Sequence, residues 1–280
     1  MRRLHKDTLV NPGKRFTYVP IPKVACSSLK RWFMQSLEGV EVPRPTVRGE
    51  IHNLAKPYTL ENYGWFKQLA VSCRYRHICF VRNPWERVVS AYVEKFVGPD
   101  PINFANKSVV EAIAVKRGQL GELTLEYPFA VGERKFLLKI DPQLDYGAVV
   151  RFCDFVEYLC EQEDFKLNPH WRPQATFTRG FTFFFTGKVE NLDHHLRHVS
   201  GLLGVKTLGE HTNRTRYSET DHQDCSAMLP QELRKAGLRP RFESLFTPDL
   251  FEKTTKRFEN DWRQFAYDPE VYRKRLVLLG

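Results

Sequence analysis

Two rhythms of apolar and polar residues alternate along this chain. Phe16-Thr17-Tyr18-Val19-Pro20-Ile21 is a short apolar-rich run that predicts a strand. After the turn residues Pro22 and Lys23, the residues Leu29, Trp32, Phe33, Ser36 and Leu37 repeat at helical spacing. This is a strand, a loop and a helix. His77-Ile78-Cys79-Phe80-Val81 opens a second such unit, with a run apolar enough to predict a strand buried on both faces. Asn83 fits an N-cap, Pro84 the first helical position and Glu86 the third residue after the cap. Trp85, Val88, Val89, Tyr92 and Phe96 then mark one helix side, and Asn83, Arg87 and Ser90 the other.

Further on, the pattern predicts a short helix over residues 108–117, an amphipathic helix over 146–161 and a strand over 181–186. A helix carrying Leu192, Leu196, Val199 and Leu203 follows, and a last one spans 248–264. Gly98-Pro99-Asp100-Pro101 breaks the chain, and residues 98–148 read as a loop-rich excursion. Strands alternating with helices predict an α/β fold: one domain, 1–280, with a mainly parallel sheet covered by helices on both faces. Ligands of such sheets bind at the carboxyl ends of the strands, where the loops after Ile21 and Val81 lie.

Composition narrows the chemistry. The chain has 280 residues with a net charge of +10, and its basic residues are spread rather than blocked. A basic surface suits nucleic acid, an anionic membrane or a small polyanion. No basic helix or aromatic stacking platform supports nucleic-acid binding. No long apolar run supports a membrane span, and Met1-Arg2-Arg3-Leu4-His5-Lys6-Asp7 leads into no apolar segment. The expectation is a cytoplasmic protein without anchor. Six cysteines without metal-type spacing are expected to be reduced and mostly buried.

The two special loops carry anion chemistry. A loop that closes a strand and opens a helix offers free N–H groups and a positive dipole end. The first adds Lys23 and the hydroxyls of Ser27 and Ser28, which suits a phosphate–sulfate linkage; it lacks the Gly-x-x-x-x-Gly-Lys-Ser/Thr of a nucleotide kinase. In the second, Arg82 ends a buried strand and Ser90 follows roughly 10 Å along the helix, so both can reach one anion.

At this point the chain resembles a known family. Pro22-Lys23-Val24-Ala25-Cys26-Ser27-Ser28-Leu29-Lys30-Arg31 is similar to the 5′-phosphosulfate loop of the Golgi carbohydrate sulfotransferases, the group of chondroitin 4-sulfotransferase and the HNK-1 sulfotransferase. Phe80-Val81-Arg82-Asn83-Pro84-Trp85-Glu86-Arg87-Val88-Val89-Ser90-Ala91-Tyr92 resembles their 3′-phosphate motif. The likeness continues in Asn168-Pro169-His170-Trp171-Arg172-Pro173-Gln174, in Gly187-Lys188-Val189-Glu190-Asn191-Leu192 and in Phe258-Glu259-Asn260-Asp261-Trp262-Arg263-Gln264-Phe265-Ala266-Tyr267. It implies a P-loop-like α/β fold that uses the donor PAPS (3′-phosphoadenosine-5′-phosphosulfate) and releases PAP, without metal. Lys23 would meet the bridging oxygen, with Val24, Ala25, Cys26, Ser27 and Ser28 completing the cradle. Arg82 and Ser90 would hold the 3′-phosphate, and Arg214 and Arg216 would close over the nucleotide. Golgi relatives carry cysteines just after the His-Trp-x-Pro-Gln motif. Residues 175–185 have none here, in keeping with a reducing compartment.

An acceptor hydroxyl needs a base near neutral pKa. His52, between the two anion loops, and His170, in the His-Trp-x-Pro-Gln motif, are the candidates. His194, His195 and His198 share one helix and are expected to be a solvated face rather than a metal site. The acceptor is a carbohydrate or, alternatively, a small hydroxylated metabolite, and residues 98–148 are the expected source of its pocket.

Overall fold

The computed structural model describes residues 5–42, 50–98, 109–110, 112–113, 127–131, 134–138, 150–207, 217 and 223–277. The strands and helices are β1 (Leu9–Asn11), β2 (Phe16–Val19), α1 (Cys26–Gln35), α2 (Glu50–Ala55), α3 (Trp65–Arg74), β3 (Arg76–Val81), α4 (Pro84–Tyr92), β4 (Tyr127–Val131) and β5 (Arg134–Leu138). They continue with α5 (Phe152–Glu161), α6 (Ala175–Thr178), β6 (Phe185–Lys188), α7 (Leu192–Leu203), α8 (Pro230–Lys235), α9 (Phe242–Leu245), α10 (Pro248–Arg257), α11 (Glu259–Gln264) and α12 (Pro269–Val277). The chain forms two compact units, each assembled from three segments.

The first unit comprises Met1–Arg87, Pro169–Thr215 and Phe258–Tyr267. Its sheet runs β1-β2-β3-β6; β1 is antiparallel to β2, and β2, β3 and β6 are mutually parallel. The mainly parallel α/β sheet expected from the sequence is therefore present. Phe16, Tyr18, Ile78 and Phe80 share one face by register, and Trp32 of α1 meets three of their rings. The Trp32 indole N–H donates to Ser200 Oγ of α7 at 2.9 Å, which satisfies the one polar group on that buried ring. Thr17, His77, Val19 and Cys79 line the opposite face, where Phe181 and Phe183 cover His77.

Three expected elements have other bounds in the structure. The strand expected over 181–186 is shifted: β6 pairs from Phe185 to Lys188, preceded by one bond from the Phe184 N–H to the His77 carbonyl at 2.8 Å. Gly187 sits inside it because a Cβ there would lie 2.3 Å from the Phe80 ring. The helix expected over 248–264 is two helices, α10 and α11, broken at Phe258 with φ −105° and ψ 29°. The helix expected from residue 146 begins at Phe152; Arg151 is extended, and its N–H donates to the Asp154 carboxylate in a capping arrangement.

The second unit comprises Val88–Asn168, Arg216–Arg257 and Asp268–Gly280. Its core is aromatic: Tyr92 touches Phe96, Phe152 and Phe155, and Phe246 touches Phe152, Phe242 and Phe251. The buried Tyr92 hydroxyl donates to the Val150 carbonyl at 3.0 Å. Within residues 98–148, where the sequence predicts mainly loop, β4 and β5 pair antiparallel. Residues 109–110 and 112–113 are helical, as expected for the short helix.

No helix among the described residues is long and apolar enough to cross a membrane. All six cysteines are free thiols, but only Cys79 and Cys225 are buried; Cys73 and Cys160 are exposed, so the expectation of mostly buried thiols fails. Burial pushes the Cys79 thiol up to about 12.

His77 generates a pH dependence. Its Nδ1 lies 2.9 Å from Thr17 Oγ1 and its Nε2 3.0 Å from the Ser72 carbonyl. Burial lowers its pKa below the ordinary 6.5. The unfolded chain therefore takes up the proton first as pH falls, and stability declines below about pH 6.5 toward the folded-state value. Urea unfolding at pH 7.5, 6.5 and 5.5 is expected to show this fall, with a shallower slope in His77→Gln. An unchanged slope in the variant would assign the fall elsewhere.

Candidate active site

Because β2, β3 and β6 are parallel, their carboxyl ends lie on one edge about 4.8 Å apart per strand. The loop after β2 is bent hard. Lys23 has φ 68° and Ala25 φ 46°, left-handed values at residues that are not glycine. Such strain costs about 1–3 kcal/mol per residue and persists where surroundings enforce it. Two left-handed residues thus flank Val24, an alternation of the kind found in backbone nests that take anions. Ala25, at the N-cap of α1, has no side chain that could cap the helix. Cys26 helps to set the bend, since its thiol donates to the Ile21 carbonyl at 2.7 Å. The nest, the dipole end of α1, Lys23, Ser27 and Ser28 occupy one turn of chain.

The loop after β3 is held by side chains from elsewhere in the first unit. Gln174 Oε1 accepts the Arg82 N–H at 2.9 Å, and its Nε2 donates to the Arg82 carbonyl at 2.7 Å. Gln174 is in turn fixed by Asp261, whose two carboxylate oxygens accept the N–H groups of Gln174 and Ala175, both at 2.8 Å. Asp261 is fully buried, and burial raises its pKa against the pull of those bonds and of Arg87. Glu190, just past β6, accepts the Asn83 N–H at 2.6 Å and the Tyr267 hydroxyl at 2.9 Å. Asn83 caps α4 by accepting the Glu86 N–H at 3.0 Å, as the sequence predicts. The Arg82 guanidinium lies 3.9 Å from Glu86.

Arg87 was expected on a helix side opposite the apolar one. Instead α4 is buried on nearly all sides, and Arg87 is 1% exposed. Its Nε donates to the Pro22 carbonyl at 2.9 Å, and its two terminal nitrogens donate to Arg172 O at 2.8 Å and Pro169 O at 3.1 Å. Burial pushes its pKa down to about 10, which still leaves it charged at neutral pH.

The guanidinium thereby brings the Lys23 loop and the His170 segment together. His170 is half-buried beside Trp171, with ring centroids 6.3 Å apart. His52 is half-buried on α2, which packs against α1. Ser90 lies further along α4 in the second unit and is buried. Arg214 and Arg216 lie outside the described residues. Among the histidines of α7, His194 and His198 are exposed as expected, but His195 is half-buried and its Nδ1 accepts the Lys188 N–H at 2.9 Å. Among the described residues, no group of three or more His, Cys, Asp or Glu side chains is placed to hold a metal ion. The motifs quoted from the sequence contained Arg87, Gln174, Glu190, Asp261 and Tyr267, yet their work was not assigned.

The family model described as "Sulfotransferase family" matches residues 6–268. The chain belongs to that family. Carbohydrate sulfotransferase 12 of Xenopus laevis is 26% identical over 97% of this chain and 57% of its own length. Carbohydrate sulfotransferase 11 of Rattus norvegicus is 28% identical over 71% of this chain and 53% of its own. Carbohydrate sulfotransferase 14 of Homo sapiens is 29% identical over 69% of this chain and 45% of its own. The chain spans about half the length of these sulfotransferase relatives. No solved structure matches it.

Gln174 is the brace to test in this sulfotransferase-family fold. Gln174→Ala strands the Arg82 N–H and carbonyl, at about 1–3 kcal/mol per unsatisfied group, while Asp261 keeps the backbone N–H groups of residues 174 and 175. Thermal unfolding is expected to fall by several degrees. Gln174→Glu keeps the acceptor but sets a carboxylate beside Asp261, and is expected to be no better than alanine. A variant melting with wild type would deny the brace.

Proposed function

We propose that this chain is a sulfotransferase that moves a sulfuryl group from PAPS to a hydroxyl of a carbohydrate acceptor. The observation that carries the reading is the pairing, on one edge of a parallel sheet, of the left-handed Lys23 loop with the braced Arg82 loop. That arrangement suits a ligand with one anion at each end. Family membership and the relatives' names support the reaction and the carbohydrate class.

In this reading the 5′-phosphosulfate rests on the N–H groups of Val24, Ala25, Cys26, Ser27 and Ser28, and Arg82 holds the 3′-phosphate. The resemblance adds Ser90 to that grip and Arg214 and Arg216 to the nucleotide's cover. The acceptor oxygen attacks sulfur in line as the bond to the bridging oxygen breaks. Lys23 neutralises the charge growing on that leaving oxygen. The acceptor proton passes to an imidazole, His52 or His170, and PAP departs. Residues 98–148, expected from the sequence to supply the acceptor pocket, fall mostly outside the described residues.

Transfer of labelled sulfate from PAPS to a panel of sugars tests this. Lys23→Ala is expected to lower turnover by about 10²–10³-fold. Of His52→Ala and His170→Ala, the one that removes the base is expected to lose about 10²–10⁴-fold and the acid limb of the pH profile. PAP at a hundred times its Kd is expected to stabilise the fold by about 2.7 kcal/mol. Full turnover in Lys23→Ala would sink the reading.

A further inference from the structure

Arg87 is bonded to backbone carbonyls rather than to a carboxylate, and the identity of those carbonyls matters. The Pro22 carbonyl belongs to the same rigid peptide plane as the Lys23 N–H, and the Pro169 carbonyl to the same plane as the His170 N–H. The third acceptor, Arg172 O, lies two residues beyond His170. Both leading residues are prolines, whose φ is already locked, so little freedom remains once the carbonyl is held. The guanidinium is planar, and its nitrogens stand in a fixed fork. The Pro22 and Pro169 oxygens therefore cannot be more than about 8 Å apart.

We propose that Arg87 is a positioning residue: one buried guanidinium sets the peptide planes that open Lys23 and His170 and so fixes their separation. The inference rests on the proposed sulfuryl transfer for its effect on turnover. The Arg82 loop has braces of its own, Gln174 and Glu190, which take part in none of these three bonds. Loss of the fork should thus spare the 3′-phosphate grip and harm the chemical step. A displacement of about 1 Å in a reacting group can cost on the order of 10²-fold in rate. A merely structural arginine would lower the melting temperature and leave kcat of the folded protein alone.

The test is Arg87→Lys in the full chain. Lysine keeps the charge and the stem but offers one nitrogen in place of a fork. Three quantities are measured: kcat with PAPS, Kd for PAP by calorimetry, and amide hydrogen exchange by mass spectrometry. The expected result is a kcat lower by about 10- to 100-fold, with PAP affinity, which keeps its 3′-phosphate grip, lowered by clearly less than kcat. Exchange is expected to be faster in peptides covering 22–28 and 169–172, and unchanged over β6 and α7. A kcat within about threefold of wild type, or equal losses of kcat and PAP affinity, would overturn the proposal. If Arg87→Lys does not fold, Pro169→Gly frees one of the same planes and must show the same kcat-selective loss. If wild type transfers no sulfuryl group from PAPS, the functional reading fails. The exchange experiment then decides Arg87 alone: coupled loosening of both segments supports it, and unchanged exchange overturns it.

Discussion

A guanidinium withdrawn from water must have its N–H groups filled, and a backbone carbonyl is a good acceptor only where the chain can be brought to it. At Arg87 the two requirements meet. The cation sits wholly inside the first unit, and three carbonyls from two distant segments converge on it. The fold cannot keep this charge buried unless the loop after β2 and the segment around His170 are where they are. Their placement is a condition of burial, which makes it far more rigid than a surface loop would be.

The rest of the edge follows the same rule. Each of the two loops is short and half-buried, and its backbone is clamped from behind by a polar side chain. Gln174 mimics a paired strand for Arg82, taking its N–H and feeding its carbonyl. Asp261 anchors Gln174, and Glu190 anchors Asn83 with Tyr267 behind it. The left-handed residues Lys23 and Ala25 can be strained because their neighbours are held. Preorganisation of this kind suits chemistry in which positioning and electrostatics provide most of the rate.

Much of this was legible in the residues. The two strand–loop–helix units and the cap at Asn83 rest on local chemistry, which local sequence encodes. What the sequence hid was non-local. Arg87 looked like an outward position because helical spacing reports faces, and α4 has nearly none exposed. The partners of Gln174 and Asp261 stand 87 positions apart, and no periodicity links them. The aromatic run at 181–186 has strand propensity throughout, but only Phe185 and the residues after it find a ladder beside β3, so pairing decided the boundary. Phe258 hides its break because the apolar spacing of two helices in tandem reads like one.

The most direct measurement is a crystal structure of the chain with PAP bound. The account predicts the 5′-phosphate against the N–H groups of residues 24–28, the 3′-phosphate within hydrogen-bond distance of Arg82, and both loops unmoved. A nucleotide bound elsewhere, or bound only after the Lys23 loop leaves its left-handed bend, would contradict it.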